Sequence, residues 1–129
     1  MMDRRHFLKN SLWAAAGMGL VSWTSRGELI LGHGDFRYKV DLNWGALNAQ
    51  FYPVKDCHEL VQDKQGRIIL LTNHTRNNVL IYDRDGQLLD AWGTEYPGAH
   101  GLTLKDEGGE EFLYITDTER HEVIKTTLN

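Results

Sequence analysis

The chain has 129 residues, 41% of them hydrophobic and 25% charged, a balance that suits one compact core and excludes both a disordered polymer and a polytopic membrane protein. Fourteen Lys and Arg against eighteen Asp and Glu leave a formal net charge of −4, so no basic surface is available for a phosphate backbone and nucleic acid is not expected as a partner. The single cysteine, Cys57, rules out an internal disulfide and a zinc ribbon and is expected to be a buried thiol.

Residues 1–9 form a charged head containing Arg4, Arg5 and Lys9, and a mildly apolar run follows from Leu12 to Trp23. That run has 12 residues, short of the roughly 20 that a permanent membrane helix needs. Arg4-Arg5-His6-Phe7-Leu8-Lys9 resembles the twin-arginine export signal, with Asp3 in place of the usual Ser or Thr. Residues 1–25 are therefore expected to be a signal helix engaging the twin-arginine translocation machinery, which carries folded and cofactor-loaded proteins. The implied destination is periplasmic or extracellular; because the cleavage site is poorly marked, an uncleaved signal acting as an anchor is the alternative, as is an amphipathic helix packed on the domain.

Phe36 to Val40, followed by Trp44-Gly45, reads as the last strand of a sheet unit. Four further strand-like stretches follow at His58–Gln62, Arg67–Thr72, Asn78–Tyr82 and Gln87–Trp92. Turn formers separate them: Asp63 to Gly66, Asn73 to Asn77, and Asp83 to Gly86. The glycines at 66 and 86 can supply the positive φ that tight hairpins need. Ile68 to Leu71 and Phe112 to Ile115 are apolar on both faces, as in strands sandwiched between neighbouring sheets.

These segments repeat. Tyr52-Pro53, His58-Glu59-Leu60 and Thr72-Asn73 match Tyr96-Pro97, His100-Gly101-Leu102 and Thr116-Asp117 at offsets of 44, 42 and 44 residues. A period in the low forties suits one four-stranded propeller blade. The expected architecture is all-β: a partial, N-terminal β-propeller occupying 26–129, with blades at about 53–93 and 97–129 and a closing strand before them. Because about two and a half blades cannot close a ring, the chain is expected to be a fragment whose remaining partners are missing C-terminal blades of the same protein. The competing expectation is a free-standing two-sheet β domain.

Gly66-x-Ile68 to Thr72, Asn77 to Asp83, and Tyr114-Ile115-Thr116-Asp117 through His121-x-Val123 resemble NHL repeats, which implies a six-bladed propeller. Gly32 to Tyr38, Trp44-Gly45 and His100-Gly101-Leu102 further resemble bacterial propellers similar to peptidyl-α-hydroxyglycine α-amidating lyase. In that family, histidines at the start of the innermost strands bind zinc in the channel, with calcium nearby. His58 and His100 match that position, and equivalent positions of neighbouring blades converge on the ring axis. The resemblance thus implies a divalent metal, zinc with calcium as a further option, and a third ligand from outside this chain.

The family's catalytic arginine has no match, since His74 stands at the most comparable place and Arg76 lies two residues later. The metal ligands carry over; the lyase activity does not. The reading is an exported propeller with a histidine-bound metal in its channel, suited to lyase-like or hydrolytic chemistry on a small or peptide-derived ligand. The alternative is a non-catalytic propeller scaffold binding a protein or glycan, with the two histidines only hydrogen-bonded in a wet channel. Strand alternation is expected to turn Glu59 away from His58. His121 and Arg76 read as turn residues, Glu107, Glu110 and Glu111 as a soluble tip, and His33 and His74 have no identified partner.

Overall fold

The computed structural model describes residues 28–129, and the expected signal at 1–25 lies outside the described residues. The chain divides into two units, Met1–Asp41 and Leu42–Asn129. Every regular element among the described residues is a β-strand, and every pairing is antiparallel.

The described part of the first unit is a hairpin of β1 (Leu29–His33) and β2 (Phe36–Val40). The segment expected to be one closing strand is therefore two. Gly34 takes φ +58 at the first position of the two-residue turn, where a hairpin turn of this kind needs glycine. Register pairs Leu29 with Val40 and Leu31 with Tyr38, so one face is apolar while Ile30, Lys39 and Arg37 occupy the other.

The second unit holds two sheets. The first is a four-stranded meander of β3 (Cys57–Gln62), β4 (Ile68–Thr72), β5 (Val79–Tyr82) and β6 (Leu88–Trp92); the second is three-stranded, with β7 (Ala99–Glu107), β8 (Glu110–Asp117) and β9 (Glu122–Thr126). Asp63 and Asp83 build the same turn twice. Each Oδ1 accepts two backbone N–H groups, from Gln65 and Arg67 at 3.0 and 2.8 Å and from Asp85 and Gln87 at 3.0 and 2.8 Å. Gly66 and Gly86 close these turns at φ +82 and +85.

β7 lies against β3 and β4, and the core forms between the sheets. Register places Val61, Ile69, Leu71, Val79 and Ile81 on one face of the first sheet. Leu102, Leu104, Leu113, Ile115 and Ile124 share one face of the second. Ile69, Leu71, Leu113 and Ile115 are fully buried, each stabilising by about 1.5–3 kcal/mol relative to exposure. The other face of the first sheet buries Leu80 and Tyr82, with Trp44 packed on Tyr82 at 5.4 Å between ring centroids. Leu60 on that face stays 58% exposed.

The repeat differs from its expected alignment by one residue. Cys57 pairs with Thr72 and Ala99 pairs with Asp117, so the structural counterpart of Thr72 is Asp117, not Thr116. The cause is the longer β7–β8 hairpin, which runs to Glu107 and Glu110 before turning at Gly108-Gly109. Side-chain bonding follows the corrected register. The Thr72 hydroxyl accepts the N–H of Lys55 and of His74, while the Asp117 carboxylate accepts those of Gly98, Glu119 and Arg120. Thr103, Tyr114, Thr116 and Lys125 consequently share the outer face of the second sheet with Val123.

Candidate functional site

His58 and His100 come together. Their rings stack at 4.2 Å between centroids with 24° between planes, and both residues are exposed. Their placement has a common local cause. Cys57 pairs with Thr72 but Glu59 with Leu71, and Ala99 pairs with Asp117 but Gly101 with Thr116. Each histidine is thus the extra residue of a β-bulge at the start of its sheet's first strand, a distortion that re-aims a side chain.

The amides after His100 are held by side chains. Gly101 N–H donates to Thr116 Oγ1 at 2.8 Å, and Leu102 N–H donates to Glu59 Oε2 at 2.6 Å. Glycine is required at 101, because a Cβ there would stand 2.6 Å from Thr116 Oγ1. Alternation was expected to turn Glu59 from its neighbour, but the bulge interrupts it and both side chains reach β7, His58 onto the His100 ring and the Glu59 carboxylate onto the Leu102 amide.

The strand entrance is polar. Asp56 adopts φ +38, and its carboxyl is held below the usual carboxylate range, foremost by a hydrogen bond from Asn73 and then by the Lys55 and His58 charges. Asn73 donates its Nδ2 to Asp56 at 3.0 Å, and its buried Oδ1 has no partner. Cys57 is exposed rather than buried, although enough protein surrounds its sulfur to push the thiol pKa up by desolvation.

The remaining candidates have structural duties. His74 Nδ1 accepts the Arg76 N–H at 3.2 Å, and the Arg76 guanidinium donates to the Gln50 carbonyl at 3.4 Å. His121 sits in the β8–β9 turn at φ +57. His33 pairs with Phe36 across the β1–β2 hairpin. The acidic tip is engaged: Glu107 takes hydrogen bonds from Lys125 and Tyr114, and Glu111 takes the Lys64 N–H. A shallow depression of about 500 Å³ lies at the opposite ends of these strands, between Lys64, Arg67, Glu110, Glu111 and Leu128.

Asn78 escaped notice in the sequence and is the best-connected side chain near the entrance. Fully buried, it donates to the carbonyls of Thr72 and Tyr96 at 3.0 and 2.9 Å and accepts the Tyr96 N–H at 3.1 Å. It thereby ties β4 to the segment leading into β7. Its sequence signal would have been Gly93, whose φ of +86 leaves a Cβ only 2.9 Å from the Asn78 Cβ.

A zinc ion holds imidazole nitrogens at about 2.0–2.1 Å, so two ligands of one tetrahedral ion lie about 3.3 Å apart. Stacked rings aim their in-plane lone pairs side by side, and the pair must swivel about the Cβ–Cγ bonds to converge on one ion. So turned, two imidazoles would be two of the three protein ligands that an open zinc site takes. Among the described residues, no group of three or more His, Cys, Asp or Glu side chains is gathered as a complete cage, and no helix is long and apolar enough to cross a membrane. No protein-family model, curated protein or solved structure matches the chain.

Proposed function

We propose that the two sheets are consecutive blades of an exported NHL-type β-propeller, and that His58 and His100 supply two ligands to a divalent metal, zinc first, at its hub. The observation that carries this reading is the meeting of the two rings at 4.2 Å from equivalent bulges of adjacent first strands. In this reading residues 1–25 address the folded protein to the twin-arginine machinery, further blades of the same protein complete the ring, and the third ligand comes from one of them. A bound divalent ion supplies Lewis acidity toward a substrate oxygen. The chain's own contribution is to hold the two imidazoles side by side on bulged, hydrogen-bonded backbone. Lyase-like or hydrolytic chemistry on a small or peptide-derived substrate is the catalytic form of this proposal.

The face-to-face ring orientation favours a second reading, a non-catalytic scaffold in which the exposed imidazole pair is a contact surface for a protein or glycan. Zinc titration of the full-length protein, with the further blades that would supply the third ligand, by chelator competition decides between them. The first reading expects binding that either His58→Ala or His100→Ala abolishes. Absence of binding, or binding that survives both substitutions, overturns it in favour of the second.

A further inference from the structure

We infer that Glu59 is the positioning residue that sets the His58–His100 pair, by clamping the second sheet's first strand to the residue that follows His58. This rests on reading the pair as a site, and deepens that reading without depending on which ligand the site takes.

Three observations converge on Glu59. It is covalently next to His58, so its backbone position and that of the ring are set by the same bulge. Its carboxylate accepts the Leu102 N–H at 2.6 Å, two residues beyond His100 and across the gap between sheets. The intervening Gly101 N–H is taken by Thr116 Oγ1 from within the second sheet, so the two amides following His100 are each held by a side-chain oxygen. A bulge interrupts regular pairing and frees amides that must find other acceptors. Here one acceptor comes from each sheet, and the acceptor from the first sheet is carried by the neighbour of the other histidine.

The clamp is specific to this junction. In the second sheet the residue after the bulged histidine is Gly101, which has no side chain to repeat the contact. A feature serving the repeat architecture in general would recur at that position; this one occurs where two imidazoles must be kept in mutual reach. The interaction depends on length, because the carboxylate spans from β3 to a backbone amide of β7, and it depends less on charge, because a neutral amide oxygen accepts from an N–H as well.

Two conservative variants separate reach from charge. Glu59→Gln keeps the length and an acceptor oxygen; Glu59→Asp keeps the charge and is one methylene short. In the metal-free full chain, carbon–proton correlation spectra of the His58 and His100 rings at one fixed pH read the stack through the mutual upfield ring-current displacement. Wild type and Glu59→Gln are expected to show the displacement and Glu59→Asp to lose it, with faster solvent exchange of the Leu102 amide in Glu59→Asp only. Zinc affinity is expected to fall in Glu59→Asp and to hold in Glu59→Gln. The opposite ranking, an Asp variant that keeps the displacement, or a wild-type chain that never shows it, overturns the inference. A wild-type chain that binds no zinc but shows the Gln-over-Asp ranking removes the metal reading and leaves the clamp standing.

Discussion

Trp92, at the end of β6, donates its indole N–H to the backbone carbonyl of Leu128, beyond the end of β9, at 3.2 Å. One sheet's outermost strand is thereby tied to the other sheet's trailing segment. Replacing Trp92 with Phe keeps most of the ring and removes the donor. The expected loss is about 1 kcal/mol, the net value of one such bond, read as a lower urea midpoint with an unchanged slope.

Asn78 should be the most sensitive polar position. Ala there strands the Tyr96 N–H and takes a donor from the Thr72 and Tyr96 carbonyls, the latter keeping the Ala99 N–H at 3.2 Å, at a cost of about 1–3 kcal/mol. Asp keeps the shape but turns an oxygen toward the Thr72 and Tyr96 carbonyls, so it is expected to do at least as much damage. Equilibrium unfolding of both variants checks the ranking, and a near-neutral Asn78→Asp contradicts it.

Glu107 carries the clearest acid signature. Hydrogen bonds from Lys125 and then Tyr114 hold its carboxyl down to about 2 from 4.5. Because the folded value is the lower one, the stabilisation is complete above the ordinary carboxylate pKa and fades as pH falls toward 2. Carbon NMR should place the Glu107 midpoint near the lower figure, and Glu107→Gln should flatten the acid limb of stability between those two values, by a small loss at neutral pH and little change at the acid end.

Gly98 has no room for a side chain. A Cβ would lie 2.3 Å from the Glu119 backbone nitrogen and 2.5 Å from Asp117 Oδ1, and backbone cannot swing aside as a side-chain end does. Gly98→Ala is expected to cost about 1–3 kcal/mol by overpacking and to loosen the Asp117 turn. Chemical denaturation together with amide exchange at Glu119 and Arg120 measures both effects.

Much of the β organisation was legible because it rests on local chemistry. The Asp63 and Asp83 turns advertise themselves through an aspartate with a glycine three residues on, and β3 to β6 begin and end within a residue of the alternation that announced them. The pairing of His58 with His100 was readable because both open a repeat. β1 was hidden, since Leu29-Ile30-Leu31 shows no alternation and its partner lies across a two-residue turn. Cys57 was misread as buried because a lone thiol defaults to the core, whereas this one occupies a strand entrance. Glu59 was not legible: the bulge at His58 interrupts the alternation on which its direction was read, and alternation says nothing of which amide on another sheet lies within reach.

The longer β7–β8 hairpin has a parity consequence. Side chains along a strand change sides at every step, so the one-residue mismatch between the matching letters and the register hands the letters of one repeat to the opposite side of the next. Tyr114 and Thr116 stand where the first sheet presents Ile69 and Leu71, and Lys125 lays its ammonium over the Phe112 ring at 3.9 Å. Two stretches that look like copies on paper therefore offer their neighbours unlike surfaces, one greasy and one wettable.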